Sequence, residues 1–131
     1  MAVVGAGPAG LECAWKASAR GHQVTLFGAH IKAGGKLRLE AALPGLAEMY
    51  KLVEYQLAKA REHHVQFKLG AMATAEQLSH FDVVIMACGA ECVPPALESD
   101  GSTPAISVHD LAHLLEEDKL ASGQRAVLFD H

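Results

Sequence analysis

The chain is short of several things, and each shortage narrows its function. It has three cysteines in 131 residues, Cys13, Cys88 and Cys92, with no Cys-x-x-Cys pair. An odd, dispersed set of thiols is not a disulfide framework. Nor can it hold an iron–sulfur cluster, which usually takes four thiolates. The three are read as small buried hydrophobes. Basic residues are in deficit, with 11 Lys and Arg against 15 Asp and Glu and a formal charge of −4. A nucleic-acid partner would need a clustered basic excess, so none is expected. No apolar run approaches the ~18–20 residues of a membrane span. The first apolar stretch lacks a basic flank and is broken by Gly5, Gly7 and Gly10, unlike a signal peptide. A cytoplasmic location without a membrane partner is therefore expected. What remains is a half-hydrophobic chain of single-domain length, residues 1–131, able to bury a real core.

The opening of the chain is its most informative part. Ala2–Val4 is apolar and reads as a strand, and Gly5-Ala6-Gly7-Pro8-Ala9-Gly10 follows. A helical stretch then runs to about Arg20, with Gly21 in the C′ position that glycine favours. His22–Phe27, β-branched and aromatic, reads as a second strand. Strand, glycine turn, helix and strand in under ~30 residues form a βαβ unit with parallel strands. Each glycine of the G-x-G-x-x-G spacing has a physical role. Gly5 permits the tight turn, Gly7 lets a pyrophosphate approach the backbone, and Gly10 lets the helix pack close to the sheet. The helix N-terminus offers unpaired N–H groups and the positive end of its dipole to the phosphates. Pro8 suits the first helical turn, where its missing N–H costs nothing. The pattern is weak alone and strong between a strand and a helix with a second strand on schedule.

One element of that pattern is missing. An acid should end the second strand and bind the ribose hydroxyls, but Gly28 stands there and the next acid is Glu40. Losing a charged hydrogen bond weakens binding by about 1.5–3 kcal/mol, on the order of tenfold to a hundredfold. Two readings compete. In one the site is degraded or compensated. In the other the missing acid makes room for a 2′-phosphate, with His30 or Lys32 supplying positive charge. The first is favoured, because arginine, the usual phosphate partner, is absent nearby.

The rest of the chain continues the alternation of helix and strand. Gly34-Gly35, followed by Lys36 and Arg38, reads as a loop that could let the backbone approach a ligand or could be an ordinary turn. Leu43-Pro44-Gly45 marks another turn. Ala47 to about His63 is helical, with Met49, Leu52, Val53, Leu57 and Ala60 on its apolar face. Its charges, Glu48, Lys51, Glu54, Lys59, Arg61 and Glu62, form a solvated face. Val65–Leu69 alternates like a half-buried strand, and Ala75–His80 is one helical turn. Phe81–Ala87 reads as a central parallel strand covered on both faces. Cys88-Gly89-Ala90 then falls at the carboxyl edge, where open α/β sheets place ligands. Val93–Pro104 is a loop, Ser107 caps a helix from Val108 to about Glu116, and Arg125–Phe129 is a last strand.

The eight histidines raise a metal question. His109 and His113 lie at i and i+4, the zinc-protease spacing, but Asp110 stands where glutamate should be and no third ligand is apparent. Two partly exposed imidazoles on a short helix is the preferred reading, and no metal is expected. His63-His64 reads as a helix end, where a cation is favoured. No nucleophile or catalytic group can be read from spacing. Trp15 is expected to pack against a neighbour rather than stack on a ring.

Taken together, the segment Ala2–Ala14 resembles the FAD-binding fingerprint of the glutathione-reductase-like flavoproteins. Gly34-Gly35-Lys36-Leu37, Ala41-Ala42-Leu43-Pro44-Gly45 and Ser107-Val108-His109-Asp110 are similar to the C-terminal part of the 2,4-dienoyl-CoA reductase and trimethylamine dehydrogenase family, NADH:flavin oxidoreductases of the old yellow enzyme class. The likeness covers nearly the whole chain. It implies a Rossmann-like, glutathione-reductase-type α/β domain with a mainly parallel sheet, which binds FAD or the ADP part of a nucleotide, with NADP as an alternative. Family members also carry an FMN barrel and an iron–sulfur cluster, and their second nucleotide-binding segment begins with a strand like Ala126–Phe129. The resemblance thus implies a fragment, inactive alone, whose partners are the cofactor and the remaining domains of a parent flavoenzyme. A ligand-free structural or interaction domain is the non-enzymatic alternative. By position, Gly5, Gly7, Ala9 and Gly10 should contact pyrophosphate, Gly35 and Lys36 should lie near the cofactor, Cys88 and Gly89 should line the cleft, and Pro8, Gly28, Ala29 and His30 complete the expected cofactor-binding set. Gly28 departs from the family's glutamate, Lys36 from its glutamine, and Cys88 from the threonine of its Ala-Thr-Gly motif.

Overall fold

Helix and strand alternate because short β-forming runs at 2–4, 25–27 and 84–86 are separated by segments of helical period. The computed structural model of the protein describes residues 1–91, 102, 105–117, 119 and 123. The elements are β1 (Ala2–Val4), α1 (Pro8–Ala19), β2 (Thr25–Gly28), α2 (Gly35–Glu40), a 3-10 turn (Ala47–Met49), α3 (Tyr50–Glu62), β3 (Gln66–Leu69), α4 (Ala75–Leu78), β4 (Val84–Met86) and α5 (Val108–Glu116). Among the described residues the four strands form one all-parallel sheet in the order β3-β2-β1-β4. Val3 sits opposite Leu26 on one side and Ile85 on the other. This is the α/β, Rossmann-like arrangement expected from the sequence. The loop expected at Val93–Pro104, residue 102 apart, the strand at Arg125–Phe129 and Cys92 lie outside the described residues.

The core is built from the inner faces of β1, β2, α1 and α3. Val3, Leu11, Ala14, Leu26, Val53 and Ala60 are fully buried, and removing a side chain such as Leu26 from water is worth roughly 1.5–3 kcal/mol. The α1–α3 contact is partly polar. Gln56, buried on α3, donates from Nε2 to the Pro8 carbonyl at 3.1 Å and to Glu12 Oε2 at 3.0 Å. Trp15 donates to the same carboxylate at 2.8 Å. Its ring packs edge-on to Tyr55 and stacks flat on the His63 imidazole, with centroids 6.4 and 6.0 Å away, so the expectation that Trp15 would not stack on a ring is corrected. α3 ends at Glu62, with His63 at the cap and His64 in the left-handed region, the helix end read from this pair. Ser107 caps α5 as expected. Its Oγ accepts from the Asp110 N–H at 3.1 Å, and its own N–H donates to Asp110 Oδ2 at 3.2 Å.

Glu12 gives the α1–α3 contact a pH dependence. A hydrogen bond from Lys16, then those from Trp15 and Gln56, hold its carboxyl below the ordinary 4.5. A depressed folded-state pKa stabilises the fold above the unfolded value, and the contribution disappears as pH falls through the folded value. The melting temperature is therefore expected to fall on acidification below about pH 4.5, and to fall less in Glu12→Gln. Thermal denaturation monitored by Trp15 fluorescence from pH 7 to pH 3 measures both.

Three sequence expectations are corrected. Phe81–Ala87 is not covered on both faces. Among the described residues β4 covers only Val84–Met86 and pairs with β1, and it leaves Val84 38% and Met86 65% exposed. A continuous apolar run signals β-structure but does not guarantee that both faces are covered. On α3 the buried stripe is Val53, Gln56 and Ala60, whereas Met49 and Leu52 face outward. The 3-10 turn before Tyr50 changes the helical phase, so a single 3.6-residue period drawn from Ala47 misplaces its first turn. Cys88 is exposed beyond the end of β4 rather than buried, while Cys13 is half-buried.

Candidate dinucleotide site

The glycine turn lies where β1 ends at the carboxyl edge of the sheet, and its three glycines meet different surroundings. Gly5 has φ +114°, and a Cβ there would lie 2.1 Å from the carbonyl oxygen of Ala87, just beyond β4. Gly10 is buried, and a Cβ there would lie 1.8 Å from the Gly5 carbonyl oxygen. Both are therefore demanded by the packing of protein on protein. Gly7 differs. Its φ of −79° suits any residue, and the nearest atom to an added Cβ is Gly35 Cα at 3.9 Å. The space over Gly7 is open to a ligand.

α1 starts from that open space. Gly7 is its N-cap without a side-chain cap, and Pro8 fills the first position. Among the described residues, Leu11 is the first in the helix whose N–H donates to backbone, to Gly7 O at 2.9 Å. The amides of Ala9 and Gly10 precede it, and its first turn holds no acid. A helix end of this kind attracts an anion through its free donors and its dipole.

The glycine pair lies directly across from this turn. The Gly34 N–H donates to Ala6 O at 2.7 Å. Gly35 has φ +57°, and a Cβ on it would come within 2.9 Å of Gly7 Cα. Gly35 is not in a loop, as the sequence reading had it. It is the first residue of α2, which begins against the glycine turn because neither backbone carries a side chain there. Lys36 follows, exposed, with its ammonium donating to the carbonyl oxygen of Ala90. That contact spans the carboxyl edge from α2 to the segment after β4. Cys88 and Gly89 stand on the far side, both exposed, with Cys88 Sγ 3.6 Å from the Val4 carbonyl oxygen. The structure therefore brings Gly5, Gly7, Pro8, Gly10, Gly35 and Lys36 together, with Cys88 and Gly89 opposite.

The ribose side is built differently. Gly28 is the buried last residue of β2, and a Cβ there would fall 2.7 Å from Leu69 Cδ2 and 2.8 Å from Ala6 Cβ. The position of the missing acid is thus closed over by neighbours. Ala29 and His30 are exposed in the bend that follows, held by the Gly70 N–H, which donates to Gly28 O at 2.9 Å and His30 O at 3.1 Å. His30 meets His113 of α5, with ring centroids 6.1 Å apart. His109 turns instead to Glu40, with Nε2 3.3 Å from Oε1. The two imidazoles of the zinc-like spacing therefore go to different partners, and no group of three metal-ligating side chains occurs among the described residues. Sequence reasoning missed His113 as a neighbour of this bend. Nothing in the pattern links residues so far apart; only the packing of α5 on α2 does. No helix among the described residues is long and apolar enough to cross a membrane.

Comparison with known proteins agrees with this geometry. Residues 3–67 match the model of the NAD(P)-binding Rossmann-like domain. Bilirubin reductase of Mediterraneibacter gnavus (strain CC55_001C) is 35% identical over 130 residues, 98% of this chain and 20% of that protein. A probable N-methylproline demethylase of Rhizobium meliloti (strain 1021) is 41% identical over 91 residues, 68% of this chain and 13% of that one. The solved structure of 2-naphthoyl-CoA reductase in complex with 2-naphthoyl-CoA superposes with a TM-score of 0.79 at 30% identity, over 93% of this chain and 18% of that chain. The chain thus spans about a fifth or less of the length of these relatives. It is a Rossmann-like nucleotide-binding domain, and its homologues include members of the 2,4-dienoyl-CoA reductase and trimethylamine dehydrogenase family.

Proposed function

We propose that the chain holds the ADP part of FAD, or ADP itself, as the nucleotide-binding module of a larger flavin-dependent oxidoreductase. The observation that carries this reading is the open space over Gly7 at the start of α1, a cradle that any Cβ would begin to fill. The diphosphate would lie in that cradle. The amides of Ala9 and Gly10 would donate to its oxygens, and the α1 dipole would favour its charge. Gly35 keeps the opposite wall free of a side chain, and the Lys36 ammonium lies on the same edge. FAD, when bound, would supply the electron chemistry, while the protein binds and positions it.

Gly28 favours a second reading, NADP(H), because no carboxylate at the end of β2 would repel a 2′-phosphate and Lys32 follows four residues on. The two readings separate by what the protein carries. Denaturing the purified chain and weighing the released small molecules is expected to yield FAD or ADP. Calorimetric titration of nucleotide-free chain is expected to give saturable binding of both. Tighter binding of NADP than of ADP would establish the second reading. Absence of any binding at millimolar nucleotide would leave the chain a structural domain and overturn both.

A further inference from the structure

We infer that His30 and His113 together take over the ribose-reading role of the missing acid, accepting hydrogen bonds from the ribose hydroxyls of the bound nucleotide. The inference rests on the reading that the glycine turn holds the diphosphate. Three observations carry it.

The acid's own position is closed. Gly28 has no side chain, and a Cβ there would crowd Leu69 Cδ2 at 2.7 Å and Ala6 Cβ at 2.8 Å, so the group that reads the ribose at the end of β2 comes from elsewhere. The bend after β2 presents His30 two residues later, and α5 brings His113 beside it at 6.1 Å between ring centroids. This is the carboxyl end of the second strand, where open α/β sheets bind ribose. A neutral imidazole has one unprotonated ring nitrogen and accepts a hydroxyl hydrogen bond through it.

The surrounding charges favour a hydroxyl over a phosphate. Asp110 and Glu117 both face His113 electrostatically, and Glu40 lies against His109 one turn away. A 2′-phosphate beside His113 would meet the field of these carboxylates. Each acid already has a partner, Asp110 with Ser107 at 2.7 Å, Glu117 with Lys119 at 2.6 Å and Glu40 with His109 at 3.3 Å, whereas His30 and His113 meet each other at the bend after β2. Lys32 borders hollows that face Tyr50 of α3, whereas His30 faces α5.

The test compares ADP, 2′-deoxy-ADP and adenosine 2′,5′-bisphosphate by calorimetry on the 131-residue chain and on His30→Ala and His113→Ala. The wild-type chain is expected to prefer ADP over 2′-deoxy-ADP by about threefold to tenfold, the range of one or two neutral hydrogen bonds. At least one alanine variant should lower that ratio to about one through weaker ADP binding, with 2′-deoxy-ADP unaffected. ADP binding with no preference over the deoxy form, or a preference that survives both substitutions, overturns the inference and leaves the diphosphate reading intact. Tighter binding of the 2′,5′-bisphosphate than of ADP overturns it in favour of a phosphate subsite. No ADP binding in the wild-type chain removes the diphosphate reading and this inference with it.

Discussion

Gly10→Ala is expected to lower the melting temperature by about 10 °C or to leave the chain insoluble, and Gly5→Ala to do the same. At Gly10 the added methyl would sit 1.8 Å from the carbonyl oxygen of Gly5 and 3.5 Å from Ala87 Cβ. The oxygen belongs to the backbone of the turn, so the collision is relieved only by lifting α1 off the end of β1. Leu11 and Ala14, the fully buried residues on the inner face of α1, would be lifted with it. Overpacking of this kind costs on the order of 3 kcal/mol, a large fraction of a domain's stability and about 10 °C at this size. At Gly5 the cost has two sources, a φ of +114° that L side chains rarely adopt and a contact 2.1 Å from the Ala87 carbonyl oxygen. Differential scanning calorimetry of the two variants beside the wild-type chain measures both. A melting temperature within 2–3 °C of wild type, roughly 1 kcal/mol, would show that the turn is not packed as described.

Gly7→Ala is expected to behave in the opposite way, folding normally and losing the ligand. Its backbone is extended, at φ −79° and ψ −177°, and a methyl there would meet only Gly35 Cα at an ordinary 3.9 Å. The stability cost is the difference between glycine and alanine at an N-cap, within about 1 kcal/mol. The methyl would nevertheless occupy the ground that a diphosphate needs in order to reach the Ala9 and Gly10 amides. Losing one charged hydrogen bond weakens nucleotide binding by about tenfold to a hundredfold. Three glycines that look equivalent in G-x-G-x-x-G therefore divide into two that the packing requires and one, Gly7, that it does not.

The fold was largely legible because its signals are local. The β-branched and aromatic run at His22–Phe27, the glycine at 21 and the Ser107–Asp110 cap each settle a boundary within a few residues. What was not legible depends on contacts between distant segments. Phe81–Ala87 has the composition of a strand covered on both faces, and only the structure shows that Val84 and Met86 of β4 are exposed. The outward turn of Met49 and Leu52 follows from a 3-10 turn that leaves no periodic trace. Gln56 is a polar residue in the buried stripe, and only Pro8 and Glu12, supplied by another helix, explain it.

The candidate site divides along the same line. The glycine turn could be placed from spacing alone, because strand, turn and helix are contiguous. The close approach of Gly35 to Gly7, the reach of Lys36 to Ala90 and the meeting of His30 with His113 join segments from 28 to 83 residues apart. Gly28 shows the limit from the other side. In the sequence it reads as a lost acid, whereas the structure adds that Leu69 and Ala6 have closed over its position.

Calorimetric titration of ADP into the wild-type chain and into Gly7→Ala, at one ionic strength and with melting temperatures measured on the same samples, tests the central claim most directly. The account predicts saturable binding to the wild-type chain and at least tenfold weaker binding to a variant whose melting temperature stays within about 2–3 °C of wild type. Equal affinity in the two proteins, or no heat of binding in the wild type at millimolar ADP, would contradict it.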